Sequence, residues 1–309
     1  MGTIPHYPKI WHLGNDAIEH LFVGSVEITE KIDGSMFGFG VNQEGDIVIR
    51  SKGKQMYLES YEHMFEIAVQ QVEKRRDRLI EIYNSVGPFF VYGEFLSKPK
   101  HNILCYDRVP KDNIIVFGVK LGQNFAKDYH ILKNFSDGLG LETVPVLYNG
   151  VVGPGSHEEL KKMIHDTPSV LGNTTVEGIV IKNYWQIVSV GSLADPCFGK
   201  YVREDFKERL HKEFKTGKNK EDEFIDSFRN EAIWHKAVQH LEEKGELEHS
   251  PRDIGKLMKA IPEDVLEENK PEIEKFAFNN LWAKIRRKCI AGFPEFYKEY
   301  LLKRQFENE

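Results

Sequence analysis

Glu30-Lys31-Ile32-Asp33-Gly34 closes a strand-like run that begins at Val26, and its reading decides the rest. A lysine at a strand end, followed by Asp-Gly, sits where glycine permits a sharp turn and the close approach of a ligand. Downstream come the alternating Phe37, Phe39 and Val41, the turn Gln43-Glu44-Gly45-Asp46, and Ile47-Val48-Ile49. Residues 26–50 therefore read as a β-hairpin or meander. A lysine amine titrates at ~10.4 and is a poor nucleophile while protonated. Nearby cations or desolvation would expose its lone pair, and Lys182 and Lys200 are the cations expected to supply that pressure. Alone, the segment is more simply a surface strand-to-turn link.

Its partners along the chain change that reading. Tyr92-Gly93-Glu94 follows Phe89-Phe90-Val91, a buried-strand pattern, and Glu177-Gly178-Ile179-Val180-Ile181-Lys182 comes much later. A nucleophilic lysine, two later glutamates and further lysines are the parts needed to take a nucleotide onto an amine and pass it to a phosphate. Between these segments, residues 58–84 repeat Met64, Ile67, Ala68, Val72, Leu79 and Ile82 at helical spacing. Residues 113–120 read as a strand, 158–164 as a short helix and 176–190 as two strands. Beyond about Asp205 no strand pattern remains. Helical runs at 221–244, 252–260, 263–288 and 294–304 are separated by Gly245, Pro251, Pro262 and Pro294, with Pro271 expected to break the third. The expected division is a mixed α/β domain over 1–205 and a helical domain over 206–309.

Composition narrows the class. The chain has 309 residues, 40% hydrophobic and 29% charged, as in an ordinary soluble globular protein. No stretch approaches the ~20 apolar residues of a membrane span, and no secretion signal is read at the N-terminus. Three scattered cysteines, Cys105, Cys197 and Cys289, argue against a disulfide framework or zinc site and suit a reducing cytoplasm. A net charge of −6 argues against sequence-blind coating of a polyanion but leaves room for a local basic groove.

The ordered set resembles the covalent nucleotidyltransferases, the polynucleotide ligases and mRNA capping enzymes. Lys31-Ile32-Asp33-Gly34 matches the nucleophile motif. Arg50-Ser51-Lys52-Gly53 looks like the arginine motif, Tyr92-Gly93-Glu94 like the glutamate motif, and Phe117 like the aromatic that stacks on the base. Glu177 to Lys182 matches the next motif almost residue for residue. Glu30 before the lysine, and a helical C-terminal domain in place of an OB barrel, bring the chain closest to the RNA ligase 2 group. That resemblance implies an α+β, ligase-type nucleotidyltransferase with ATP-grasp-like antiparallel sheets and flanking helices, followed by a separate all-helical domain. One departure stands out: the family's last motif is Lys-x-Lys, whereas Phe198-Gly199-Lys200-Tyr201-Val202 offers one lysine. One lysine suffices, or Arg203 or Lys207 compensates, or the register is shifted.

By resemblance, Lys31 attacks the α-phosphorus of ATP, and the lysyl–AMP passes its AMP to an RNA 5′-phosphate, from which a 3′-hydroxyl displaces it. Lys182 and Lys200 would stabilise the phosphates. Glu94 and Arg50 would contact the ribose, or Arg50 the 5′-phosphate; Phe117 would stack on adenine and Glu30 would lie among the nucleotide contacts. Glu177 would hold Mg²⁺, with Mn²⁺ as a substitute. Strand alternation puts Glu177 and Lys182 on opposite faces unless twist, a bulge or the strand start intervenes. Asp33 reads as a tie within the turn. A DNA ligase, a GTP-loading capping enzyme and a nonenzymatic RNA-binding protein are the competing readings. The expected partner is RNA with 5′-phosphate and 3′-hydroxyl ends, possibly at a duplex nick, with no membrane and no obligate protein partner.

Overall fold

The computed structural model describes residues 3–102, 104–151, 156–172, 174–190, 193–203, 220–229 and 231–289, with 291, 293 and 297 as single positions. Two sheets carry the N-terminal part. The first has the order β1 (Ile10–His12), β12 (Leu193–Val202), β11 (Gly178–Val190), β2 (Ser25–Lys31), β10 (Val146–Val151). The second runs β5 (Gln55–Met56), β4 (Ile47–Ser51), β3 (Ser35–Val41), β6 (Phe89–Phe95), β7 (Ile114–Leu121), β8 (Asn124–Phe125), with β9 (Glu142–Thr143) also on β7. The architecture is the expected α+β one, antiparallel except where β1 meets β12 and β9 meets β7.

The expected meander over 26–50 is divided between the sheets. β3 and β4 form the hairpin, but β2 pairs with β11 and β10. The turn Ile32–Gly34 thus carries the chain from one sheet to the other. Gly34 is required there, because a Cβ would lie 2.7 Å from Glu94 Cγ and from the Phe95 carbonyl.

Alternation sets the layers. Phe37, Phe39 and Val41 turn to one core with Val69, Val72 and Leu79 from α1 (Glu66–Lys74) and α2 (Arg76–Val86), and with Leu132 and Leu139 from α3 (Tyr129–Leu139). The helical spacing over 58–84 is split at Arg75, and Ile67 is exposed. Val26, Ile28, Ile179 and Ile181 turn to a second core with Leu160 and Ile164 of α4 (Ser156–Asp166). Fully burying such side chains stabilises by roughly 1.5–3 kcal/mol each. The opposite faces of the two sheets meet through Tyr7, Tyr92, Phe117, Phe125 and Phe198. The two strands expected in 176–190 are one strand, whose register against β12 shifts between Asn183 and Ile187.

After Val202 the described residues hold helices only: α5 (Lys220–Asp226), α6 (Glu231–Glu243) and α7 (Ile254–Cys289). Neither Pro262 nor Pro271 breaks α7. Each proline removes one N–H donor, and Met258, whose carbonyl Pro262 leaves without its helical partner, is 70% exposed, on a face that solvent reaches. Lys207 lies outside the described residues, as does the helix expected at 294–304 except for position 297. The chain divides into two compact units, Met1–Asp264 and Val265–Glu309; α5 and α6 belong to the first. No described helix is long and apolar enough to cross a membrane.

Candidate active site

The sheet pairing builds the site. Lys31 lies opposite Gly178, Thr29 opposite Val180, and Glu27 opposite Lys182 on β2 and β11; across β11, the same residues meet Val202, Lys200 and Phe198 of β12. Because Val26, Ile28, Ile179 and Ile181 fill the core, these nine face the other sheet. Glu177 precedes β11, so alternation does not bind it. Its carboxylate accepts both hydrogen bonds of Lys31 Nζ, at 2.8 and 2.7 Å. The strand start is what brings Glu177 and the strand's inward face to one place.

Burial by itself would lower the Lys31 ammonium, but Glu177, Asp33 and Glu94 outweigh it and hold the group protonated well above the ordinary lysine value. The expected cationic pressure does not set its state. Lys182 Nζ donates to Glu27 Oε1 (3.1 Å) and to the Phe117 carbonyl (2.9 Å), at 1% exposure. Burial lowers the Lys182 pKa, against the pull of Glu27. Glu177 is raised by burial, and Lys31 and Lys200 counter that rise.

From the second sheet come Glu94, Arg50 and Phe117. Glu94 pairs with Met36 and Arg50 with Gly38, so both side chains share the face away from Phe37 and Phe39. Burial pushes the Glu94 carboxyl up, Lys31 pulls it back, and Glu243, Glu177 and Asp33 add to the rise, leaving it at about 8. Phe117 occupies the irregularity where Gly93 pairs with Val116 but Tyr92 with Gly118. Its ring meets Tyr7 edge-on at 4.9 Å. Arg50 is 3% exposed and donates to the carbonyls of Ile4 (2.8 Å) and Ser51 (3.0 Å), and its Nη2 meets His6 Nδ1 at 2.9 Å.

Glu30 stands apart from these. Its carboxylate accepts from Ser169 Oγ (2.5 Å) and the Val170 N–H (3.0 Å), on the side of β2 away from Lys31. Asp33 ties the turn as read: its carboxylate accepts from the Leu104 N–H (2.8 Å) and Asn102 Nδ2 (3.2 Å), while Tyr106 takes its N–H. The Arg203 N–H donates to the Glu177 carbonyl at 2.9 Å, and its guanidinium to Thr175. The sequence reading missed Glu27 and Tyr7. Glu27 had a signal, the polar row Glu27-Thr29-Lys31 alternating with Val26 and Ile28; Tyr7 had none.

No group of three or more His, Cys, Asp or Glu among the described residues is disposed to hold a metal ion. A hard cation such as Mg²⁺ fits only as a guest of one or two carboxylates plus phosphate oxygens, and Glu177 is the side chain placed to contribute.

The RNA ligase sequence family matches residues 24–201. No curated protein sequence gives a match. Among solved structures, a Naegleria gruberi RNA ligase with pyrophosphate is 16% identical over 64% of this chain and 58% of its own, at a TM-score of 0.45. A variant of it solved with ATP and manganese gives 16%, 64%, 58% and 0.46, and one with AMP and manganese 18%, 63%, 56% and 0.44. This chain spans less than three fifths of the length of those structures. The family match takes in more than half of the present chain and runs from one residue before β2 to within β12, from the nucleophile motif through Lys200, and the chain belongs to the RNA ligase family.

Proposed function

We propose that the protein is an ATP-dependent RNA ligase that joins 5′-phosphate and 3′-hydroxyl ends through a lysyl–AMP and an adenylylated 5′-end. The observation that carries this reading is the contact of Lys31 with Glu177, which unites the first and fifth motifs of the family across two paired strands. In the reaction, the Lys31 amine displaces pyrophosphate from the α-phosphorus, forming a P–N bond. The RNA 5′-phosphate takes AMP from the lysine, and a 3′-hydroxyl then expels AMP. A divalent cation, Mg²⁺ or Mn²⁺, supplies charge neutralisation at the phosphates and would be held by Glu177.

The chain's own residues position and hold protons. Glu177, Asp33 and Glu94 keep the amine charged until those carboxylates are otherwise engaged. Glu94 faces the ribose. Phe117, its carbonyl fixed by Lys182, offers its ring to the base. Lys200 neutralises phosphate oxygens. Arg50 reaches nucleotide or the 5′-phosphate by exchanging its bonds to Ile4 and His6. Residues 1–205 carry the adenylylation chemistry, and 206–309 a helical part that engages RNA ends, at a nick or otherwise. Three free cysteines fit a cytoplasmic setting.

The test is incubation of the protein with labelled ATP or GTP and Mg²⁺. The expected result is an acid-labile AMP adduct, absent in Lys31→Ala, and sealing of nicked duplexes with RNA at the 3′-hydroxyl side. A GMP adduct, or none, contradicts the reading.

A further inference from the structure

The turn that carries the nucleophile is held from two sides. On one, Asn102, Leu104 and Tyr106 fix Asp33, and Asn102 Nδ2 also donates to the Gly34 carbonyl at 3.0 Å. On the other stands α6, outside the span that the family match covers. Its Gln239 Nε2 shares two hydrogens among the Gly34 carbonyl (3.2 Å), Ser35 Oγ (3.2 Å) and Glu243 Oε1 (2.8 Å). Glu243 is 2% exposed, and its main-chain carbonyl accepts from Ser51 Oγ at 3.3 Å, at the end of β4 directly after Arg50. His101 meets Ser35 from the far side, Nε2 to Oγ at 3.0 Å. The Ser97 N–H donates to Nδ1 of that ring, so Nε2 carries the hydrogen and donates to Ser35.

We propose that Gln239 is a positioning residue for the nucleophile: a side-chain amide on α6 that fixes the Gly34 carbonyl and thereby aims Lys31 in lysyl–AMP formation. This rests on the reading of Lys31 given above. Three features carry it. The amide bonds directly to the backbone of the nucleophile motif. Its orientation is set by a buried carboxylate that accepts its shortest bond. Gln239 touches no group assigned to the nucleotide, so its contribution falls on the aim of the amine and not on nucleotide affinity. Removing this half-buried donor leaves the Gly34 carbonyl held from one side only, by Asn102 Nδ2.

The test uses the full chain and single-turnover formation of lysyl–AMP over a range of ATP concentrations. Gln239→Leu is expected to lower the maximal rate by about tenfold or more, with the half-saturating ATP concentration moved less than about threefold. Glu243→Gln, which keeps an oxygen acceptor for the amide, is expected to lose less maximal rate than Gln239→Leu. Exposed His235→Ala on the same helix sets the baseline. If Gln239→Leu fails to fold, Gln239→His, which retains one ring donor, replaces it with a partial loss expected. A maximal rate unchanged in the leucine or histidine variant, or a loss confined to ATP affinity, overturns the proposal while leaving the ligase reading intact. Absence of any adduct in the parent protein overturns both.

Discussion

Lys31 and Glu177 stand 146 positions apart, yet both oxygens of the carboxylate lie within 2.8 Å of the lysine nitrogen. On the proposed reading of Lys31 as nucleophile, the pair stores it in its unreactive, protonated form. A raised pKa leaves less free amine at any given pH, so Lys31 is predicted to resist amine acylation at pH 9 while exposed lysines react. Glu177→Gln removes the strongest attraction on the proton and is expected to raise the Lys31 labelling rate by about tenfold or more, since each pKa unit is tenfold in free amine. Peptide mass spectrometry after brief acylation reads this directly. Equal labelling in both proteins would show that Glu177 does not hold the proton.

Glu94 gives a pH signature of opposite origin. Its carboxyl is pushed up to about 8, chiefly by burial. Between the ordinary glutamate value and 8, the folded protein keeps a proton that the unfolded chain has released, so stability falls as pH rises through that window. Glu94→Gln has no proton to lose there. Urea midpoints at pH 5, 6.5 and 8 are therefore expected to fall more steeply for the parent than for the variant. Parallel profiles would mean that Glu94 titrates normally.

Lys182 and Glu27 form a buried pair whose removal on one side leaves an uncompensated charge. Lys182→Ala is predicted to cost about 3–5 kcal/mol of stability. Lys182→Met combined with Glu27→Gln is expected to recover most of it, because the charge that needed a partner is gone. In chemical denaturation, a double variant no more stable than Lys182→Ala alone would rule out the pair as the source. Adduct formation in the folded double variant also separates a strut under Phe117, which keeps activity within about tenfold, from a direct phosphate ligand, which loses far more.

The motif residues were legible because their chemistry is local: a lysine before Asp-Gly, a glutamate before a strand, an alternation that sorts inward from outward. The Glu177 paradox was legible too, and its resolution is that β11 begins one residue later. What the sequence hid was non-local. That β2 leaves β3 for the other sheet depends on Gly34 packing against Glu94, 60 residues on. That Arg50 is wrapped by Ile4 and His6, or that α6 reaches the nucleophile turn, follows no periodicity. The prolines misled in the other direction: an exposed helix tolerates the loss of a donor that a buried one would not.

Glu30 tests how far adjacency in sequence implies adjacency in the site. Its carboxylate serves Ser169 and Val170, and burial raises its pKa despite those bonds. Glu30→Gln keeps the acceptor for Val170 and is expected to leave lysyl–AMP formation within about twofold. Glu30→Ala leaves the 169–170 donors unmet and is expected to lower stability by about 1–3 kcal/mol. A loss of nucleotide affinity in the glutamine variant, measured at full folding, would instead place Glu30 among the nucleotide contacts.

The single lysine of the last motif can be weighed in the same way. Lys200 and Val202 lie on the inward face of β12, opposite Val180 and Gly178, and Val202 is 7% exposed. A cation at 202 would be buried beside Gly178, one strand away from Lys31, where desolvation makes it expensive. We therefore expect one lysine to suffice on this face, with Lys200 close enough to Glu177 to counter its raised pKa. Lys200→Ala is predicted to lower lysyl–AMP formation by about a hundredfold, the usual scale for losing a charge-stabilising group, and Lys200→Arg to retain part of it. Val202→Lys, which restores the family pattern, is expected to destabilise the fold without raising the rate. A faster Val202→Lys enzyme would show that the second lysine had been lost at a catalytic cost, and that one cation on this face is too few.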